Sequence, residues 1–181
     1  MDFNRMPIAK AGAASVIRPA TMEELPEIGT MVVAAFAQYR HEAPAPLFEA
    51  YLEQSRNLAA RWHIGKLLVA EIEGRIVGTV TFFPDAGAEE LGLPEGWAGF
   101  RTLAVHPAAR GRGIARALSA MCVDAARARS TRTVAIHTAP FMRTACGIYE
   151  QIGFRRGPVL GLDLGAQDIP VIAYRLDLSD N

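Results

Sequence analysis

Residues 106–122, HPAARGRGIARALSAMC, place Gly111, Gly113, Arg110, Arg112 and Arg116 just before an apolar row. That combination suits an anion. The first N–H groups of a helix have no partner within it, and the aligned peptide dipoles leave about half a positive charge at that end. Glycines let the backbone bend and let oxygens approach without a Cβ in the way. Two phosphate patterns fail here. A dinucleotide fingerprint, G-x-G-x-x-G, would need glycine where Arg116 stands, and a Walker A loop needs Gly-Lys-Ser/Thr, whereas Gly65-Lys66 is followed by Leu67.

Other residues bear on chemistry singly. Tyr149, in GIYEQIGF, is a phenol that stays protonated at neutral pH. His137 has a side-chain type suited to accepting a proton near neutrality, and Glu95 is a carboxylate just ahead of the strand that leads to the glycines. Cys122 and Cys146 lack the spacing of a zinc site or a disulfide framework and read as core thiols in a reducing cytoplasm. The four histidines, His41, His63, His106 and His137, are scattered without metal-ligand spacing, so no metal is expected.

The elements that must position these groups follow from periodicity and punctuation. SVIRPA gives a short strand, and Thr21 with Glu24 forms a capping box for a helix reaching about Arg40. Leu47 to Trp62 repeats apolar residues at helical spacing. KLLVAEIEGRIVGTVTFFP is a hairpin turning at Glu73-Gly74, with a bulge expected at Gly78. WAGFRTLAV is a strand, and Ile114, Ala117, Leu118, Met121, Ala125 and Ala128 mark one face of a helix beginning at Gly113. TRTVAIHTA is a strand, Met142 to Gln151 a short helix stopped by Gly153, and PVIAYRLDL a closing strand.

The order β-α-α-β-β-β-α-β-α-β describes an α/β (α+β) fold, a mixed sheet with helices on its faces. With 181 residues, half of them hydrophobic, one domain over 15–181 is expected behind a flexible arm at 1–14. The 19 basic and 19 acidic side chains cancel, so nucleic acid and anionic membranes are not expected partners. No apolar run approaches the roughly 20 residues of a membrane span.

Arg110, Gly113 and Ala115 also satisfy R-x-x-G-x-A, following a strand that ends LAV and preceding YEQIGF. In this the chain resembles the GNAT superfamily of N-acetyltransferases from about Val16 to the last strand, most strongly over 97–157. The resemblance implies a mostly antiparallel sheet splayed at the site of acetyl-CoA. The backbone around Leu103 and Val105 would hold the pantetheine arm, and Arg110, Gly111, Arg112, Gly113, Ile114 and Ala115 the pyrophosphate. Tyr149 would protonate the departing thiolate, with Glu95 or His137 as base.

Family members commonly carry asparagine where Met142 stands, and often a glutamate on the strand before the cradle, which WAGFRTLAV lacks. The expected reaction moves acetyl from acetyl-CoA to a primary amine of a small molecule, directly, in a ternary complex. The alternatives are a peptide or protein amine as acceptor, or a non-catalytic acyl-CoA sensor. A homodimer is compatible with the resemblance. The acceptor would be framed by YRHEAPAP, GLDLGAQDIP and an acidic loop, with Asp85, Glu89, Glu90, Glu95, Asp163 and Asp168 available to meet a cationic amine.

Overall fold

The computed structural model describes residues 9–11, 15–87, 93–160 and 169–178, the first of these as backbone only. One sheet runs through them, in the order β1-β2-β3-β4-β5-β6-β8-β7. The strands are β1 (Ala9–Ala11), β2 (Ser15–Pro19), β3 (Lys66–Ile72), β4 (Arg75–Phe83), β5 (Ala98–Val105), β6 (Thr133–Thr138), β7 (Arg155–Gly157) and β8 (Ile172–Asp177). Every neighbouring pair is antiparallel except β5 with β6. The mixed sheet expected from the sequence is therefore present. Two three-residue edge strands, β1 and β7, add to it, and β1 lies within the stretch expected as an arm.

Four helices cover the two faces. Helices α1 (Leu25–Phe36) and α2 (Ala45–Arg56) bury Ile28, Val32, Phe48 and Leu52 against Leu67, Val69, Ile76 and Ala104. Helices α3 (Ile114–Arg127) and α4 (Arg143–Ile152) bury Ile114, Leu118, Cys122 and Tyr149 against Leu68, Val80, Phe82 and Phe100. Alternate residues of β3, Leu67 and Leu68, thus feed opposite cores, as the period of two in a strand requires.

Local devices set the ends of these elements. The Glu24 carboxylate accepts the Thr21 backbone N–H at 2.7 Å, as the capping box predicts, and the first turn it secures is 3-10 before α1 begins. The second helix ends at Arg56 rather than Trp62, because Asn57 leaves helical geometry at φ −77°, ψ 72° and a separate 3-10 turn, Ala59–Arg61, follows. The β3–β4 turn takes left-handed conformations at both Glu73 (φ 50°) and Gly74 (φ 76°), the pair a two-residue hairpin of matching twist needs.

Two irregularities in β4 and β5 shape the centre of the sheet. Ala70 faces Gly78 while Glu71 faces Ile76, which leaves Val77 as the extra residue of the expected bulge. A Cβ on Gly78 would come within 2.9 Å of Ile114 Cγ2 and 3.3 Å of Leu118 Cδ1, so glycine is what lets α3 lie this close to the sheet. Opposite β4, the register slips again between Thr79 and Thr81, and Thr102 on β5 adopts a left-handed φ of 56°.

Candidate active site

Strands β5 and β6 are in register only at Ala98 with Val134 and Gly99 with Ala135. Beyond those pairs they part. The His106 N–H donates to the Val77 carbonyl at 2.8 Å, so backbone alternation turns the groups of Val105 away from β4 and toward the gap, while Leu103 lies in the irregular stretch before it. These are the two residues expected to bond an extended substrate arm.

The glycine-rich turn lies at the end of β5. Gly111 (φ 75°) and Gly113 (φ 76°) are both left-handed, and a Cβ built on either meets nothing within 4 Å. Gly113 is the N-cap of α3, and no side chain caps it. The leading turn of a 14-residue helix, Ile114–Arg127, therefore has no side-chain cap on its N–H groups, which is the arrangement that takes a phosphate. Ile114 is buried and anchors this end, while Ala115 presents a small side chain there. Arg112 is exposed. Arg110 does something the motif does not reveal: its guanidinium donates to the Ala35 carbonyl at 2.8 Å and to Gln38 Oε1 at 3.1 Å. Its side chain thus braces the cradle against the end of α1.

Tyr149 projects from α4 into the core, 5% exposed, in edge or tilted contact with the rings of Phe100, Phe154 and Tyr174. Burial raises its phenol well above the ordinary value, and Tyr51, from the opposite layer, is the next contributor. Its ring contact with Phe100 sets Tyr149 against β5, and it is not among the residues around the cavity on the α1/α2 side. Gly153, at φ 108°, ends α4 as expected.

On the α1/α2 side the gap widens into a cavity of about 520 Å³. Tyr51 and Gln54 of α2, Arg101 and Thr102 of β5, His137 of β6 and Phe141 contribute to its wall. His137 is the expected base that lies here. Burial lowers its pKa, the Arg101 charge lowers it further, and a hydrogen bond with the Leu160 backbone opposes them. Its Nε2 is buried without a hydrogen-bond partner. A neutral imidazole with a bare ring nitrogen is able to accept a proton.

Glu95 sits in an exposed turn ahead of β5 and is not among the residues around this cavity. Asp85 accepts the Gly87 N–H in its own turn at 3.2 Å. Glu89, Glu90, Asp163 and Asp168 lie outside the described residues. Of the stretches expected to frame the acceptor, the end of the late loop, Ile169 and Pro170, borders the cavity. The first-helix connection gives way in this role to α2 itself.

Sequence reasoning did not single out Tyr51, Gln54, Arg101 or Arg61. Arg61 is 9% exposed, with one nitrogen donating to the Gln54 carbonyl and another 3.4 Å from Thr102 Oγ1, so it ties α2 to the β5 bulge. A visible signal existed for Arg101 alone, a charge set within the apolar run FRTLAV.

Cys122 and Cys146 are buried and unpaired, and burial pushes the Cys122 thiol far up. Met142, in the position where the family favours asparagine, is buried at the N-cap of α4, with Thr138 Oγ1 at 3.5 Å from its sulfur. Among the described residues there is no group of three candidate metal ligands, and no helix is long and apolar enough to cross a membrane.

Comparison with known proteins agrees with this geometry. The model of the acetyltransferase (GNAT) family matches residues 31–154. The uncharacterised N-acetyltransferase YjgM of Escherichia coli K12 is 28% identical over 151 residues, 80% of this chain and 84% of the relative. PaiA N-acetyltransferase from Thermoplasma acidophilum, solved in complex with coenzyme A, superposes with a TM-score of 0.71 at 11% identity, covering 91% of this chain and 99% of that one. YncA from Salmonella typhimurium, solved with acetyl-CoA, gives 0.63 at 18% identity, covering 93% and 96%. The chain belongs to the GNAT family of N-acetyltransferases and is an acyltransferase.

Proposed function

We propose that the protein transfers acetyl from acetyl-CoA to the primary amine of a small molecule, directly, while both substrates are bound. The observation that carries this reading is the parting of β5 and β6, with a glycine turn at the end of β5 and a 520 Å³ cavity lined by residues of both strands. Acetyl-CoA suits the glycine turn. Backbone N–H groups from Gly111 to Ala115 would take its pyrophosphate, and the backbone of Leu103 and Val105 its pantetheine arm. Arg112 is free to add charge nearby, whereas Arg110 acts by holding the turn.

The reaction forms a nitrogen–carbon bond as the carbon–sulfur bond breaks, and the amine proton must leave while the sulfur gains one. His137 Nε2 is the acceptor we assign, because it has no hydrogen-bond partner and burial favours its neutral imidazole; a movement of the ring would bring this buried atom to the amine. Tyr149 is the donor we assign to the sulfur, since burial keeps its phenol protonated at neutral pH. Direct transfer is favoured over a covalent acetyl-cysteine because Cys122 is held as a thiol in the core and Cys146 packs in the same cluster. Two unpaired cysteines also support a reducing, cytoplasmic setting.

A cavity of about 520 Å³ lined by α2, β5, β6 and residues 169–171 favours a small acceptor over a folded protein's side chain. One observation favours a second reading, a non-catalytic acyl-CoA sensor: Met142 replaces the asparagine that commonly helps hold the cofactor. Calorimetry with acetyl-CoA, followed by thiol release in the presence of an amine panel, decides between them. Micromolar binding with acceptor-dependent thiol release supports the enzyme. Binding without release from any acceptor supports the sensor, and absence of binding refutes both.

A further inference from the structure

The acceptor cavity has a charge that the reaction does not require. Among the described residues around it, Arg101 is the one permanently charged side chain and none is a carboxylate. Within the described residues Arg101 has no ion-pair partner, and its one side-chain hydrogen bond is a long contact of 3.4 Å with Gln54 Oε1. Behind it Arg61 is nine-tenths buried, also without a carboxylate. Burial pushes Arg61 down to about 10, with the like charge of Arg101 contributing.

Buried cations are ordinarily paired, and this chain pairs them elsewhere. Arg18, more exposed than Arg61, is bonded to both Glu24 and Glu71. Among the described residues, Arg101 on the cavity wall and Arg61 behind it have no carboxylate partner, an arrangement that an anion in the cavity would complete. The planar fork of a guanidinium matches a carboxylate in particular, with two parallel N–H···O bonds. The Gln54 amide and the Tyr51 hydroxyl group stand along the same wall to complete such a set.

We propose that the acceptor carries a carboxylate as well as its amine, a free amino acid or close analogue, and that Arg101 binds that carboxylate while His137 faces the amine. The inference rests on the acetyltransferase reading above. Arg101 and His137 are set on the same face of adjacent strands, and the Arg101 charge is felt at His137, so one compact molecule can reach both. The positive wall disfavours polyamines and other simple cationic amines, in contrast to the cationic acceptor expected from the acidic loops.

The test is a panel of L-amino acids, each beside its carboxamide and its decarboxylated amine, assayed by thiol release with acetyl-CoA. Loss of a charge-assisted bidentate contact corresponds to about 10-fold to 100-fold, so kcat/KM for the preferred amino acid should exceed that of its carboxamide by at least that factor. Arg101→Gln should remove the preference while leaving acetyl-CoA affinity intact, which also reports that the variant is folded. Arg101→Lys should restore part of it. Equal use of the acid and its carboxamide, or a preference that survives Arg101→Gln, overturns the inference.

If no acceptor supports turnover, the catalytic reading fails separately, and calorimetry with the same panel still decides the charge question. Carboxylate-dependent binding lost in Arg101→Gln sustains it, and binding indifferent to the carboxylate overturns it.

Discussion

Replacing Gly113 by alanine isolates the backbone's part in holding acetyl-CoA. The residue caps α3 at φ 76°, ψ 4°, and an added Cβ meets nothing within 4 Å, so no clash complicates the result. What remains is the cost of a left-handed conformation for a residue with a Cβ, about 1–2 kcal/mol. In a domain of this size 1 kcal/mol moves Tm by about 2–4 °C, so the unliganded protein should melt about 2–8 °C lower. Binding responds separately. Alanine relieves its strain by rotating φ, and that rotation turns the N–H groups of the first α3 turn away from their common focus.

Losing one hydrogen bond to a phosphate costs about 1.5–3 kcal/mol, which is about tenfold to 100-fold in Kd. Calorimetry with acetyl-CoA reads the second effect and a thermal melt the first. Gly147, inside α4, also has nothing within 4 Å of an added Cβ, but its backbone is helical. Gly147→Ala should therefore raise Tm, by the roughly 0.5–1 kcal/mol that alanine gains over glycine in a helix. A Gly113→Ala protein that melts lower yet binds acetyl-CoA unchanged would refute the cradle.

Tyr149→Phe should lower kcat by about 10²-fold or more, the usual scale of a lost acid, with acetyl-CoA affinity nearly unchanged in a titration. Unchanged kcat removes the assigned role. For His137 the competent form is neutral, and its pKa is lowered, so on an acceptor whose amine stays neutral throughout, kcat/KM should stay level down past about 6.5, the ordinary value, and fall only below it. Arg101→Gln takes away one cause of that lowering and should move the acid limb upward; a limb that does not move, measured on an uncharged acceptor, contradicts the coupling. Glu24 is held below the ordinary carboxylate range, first by its hydrogen bonds with Arg18. Its contribution is therefore present above about pH 4.5 and lost as pH falls through the lowered value, so Glu24→Gln should cost about 1 kcal/mol at pH 7 and converge with the parent in thermal melts once the pH is below that lowered value.

What the sequence disclosed was local. The hairpin at Glu73-Gly74, the cap at Gly153 and the cradle at Gly111 and Gly113 all rest on left-handed backbone, and glycine at those points is written directly in the chain. Helix α3 was legible because its apolar face repeats within one segment. The edge strands β1 and β7 were not, since three residues carry no periodicity and Arg155-Arg156-Gly157 has no apolar member to alternate. The expected length of α2 was wrong because Leu58 and Trp62 continue the apolar pattern after Asn57 has ended the helix.

The cavity was hidden for another reason. Tyr51, Arg101 and His137 come from three elements and share no spacing, so only the fold brings them together. Arg110 was legible as part of a motif but not in its contact, because its partners, Ala35 and Gln38, are more than 70 residues away.

The parting of β5 from β6 explains why one sheet can serve two substrates. Had the strands stayed paired past Gly99, backbone groups of β5 beyond that point would be bonded to β6. An unpaired stretch of central strand costs stability, because each buried backbone group left without a partner is worth about 1–3 kcal/mol. That cost is borne by packing on either side of the gap. Gly78 lets Ile114 and Leu118 press onto β4 from one face, and Arg61 ties the Thr102 bulge to α2 from the other. The opening then has unlike sides, an electropositive backbone turn toward α3 and a cavity with Arg101 and His137 toward α2. An acyl donor bound through its phosphates and an acceptor bound through its carboxylate would meet across the gap without competing for the same cation.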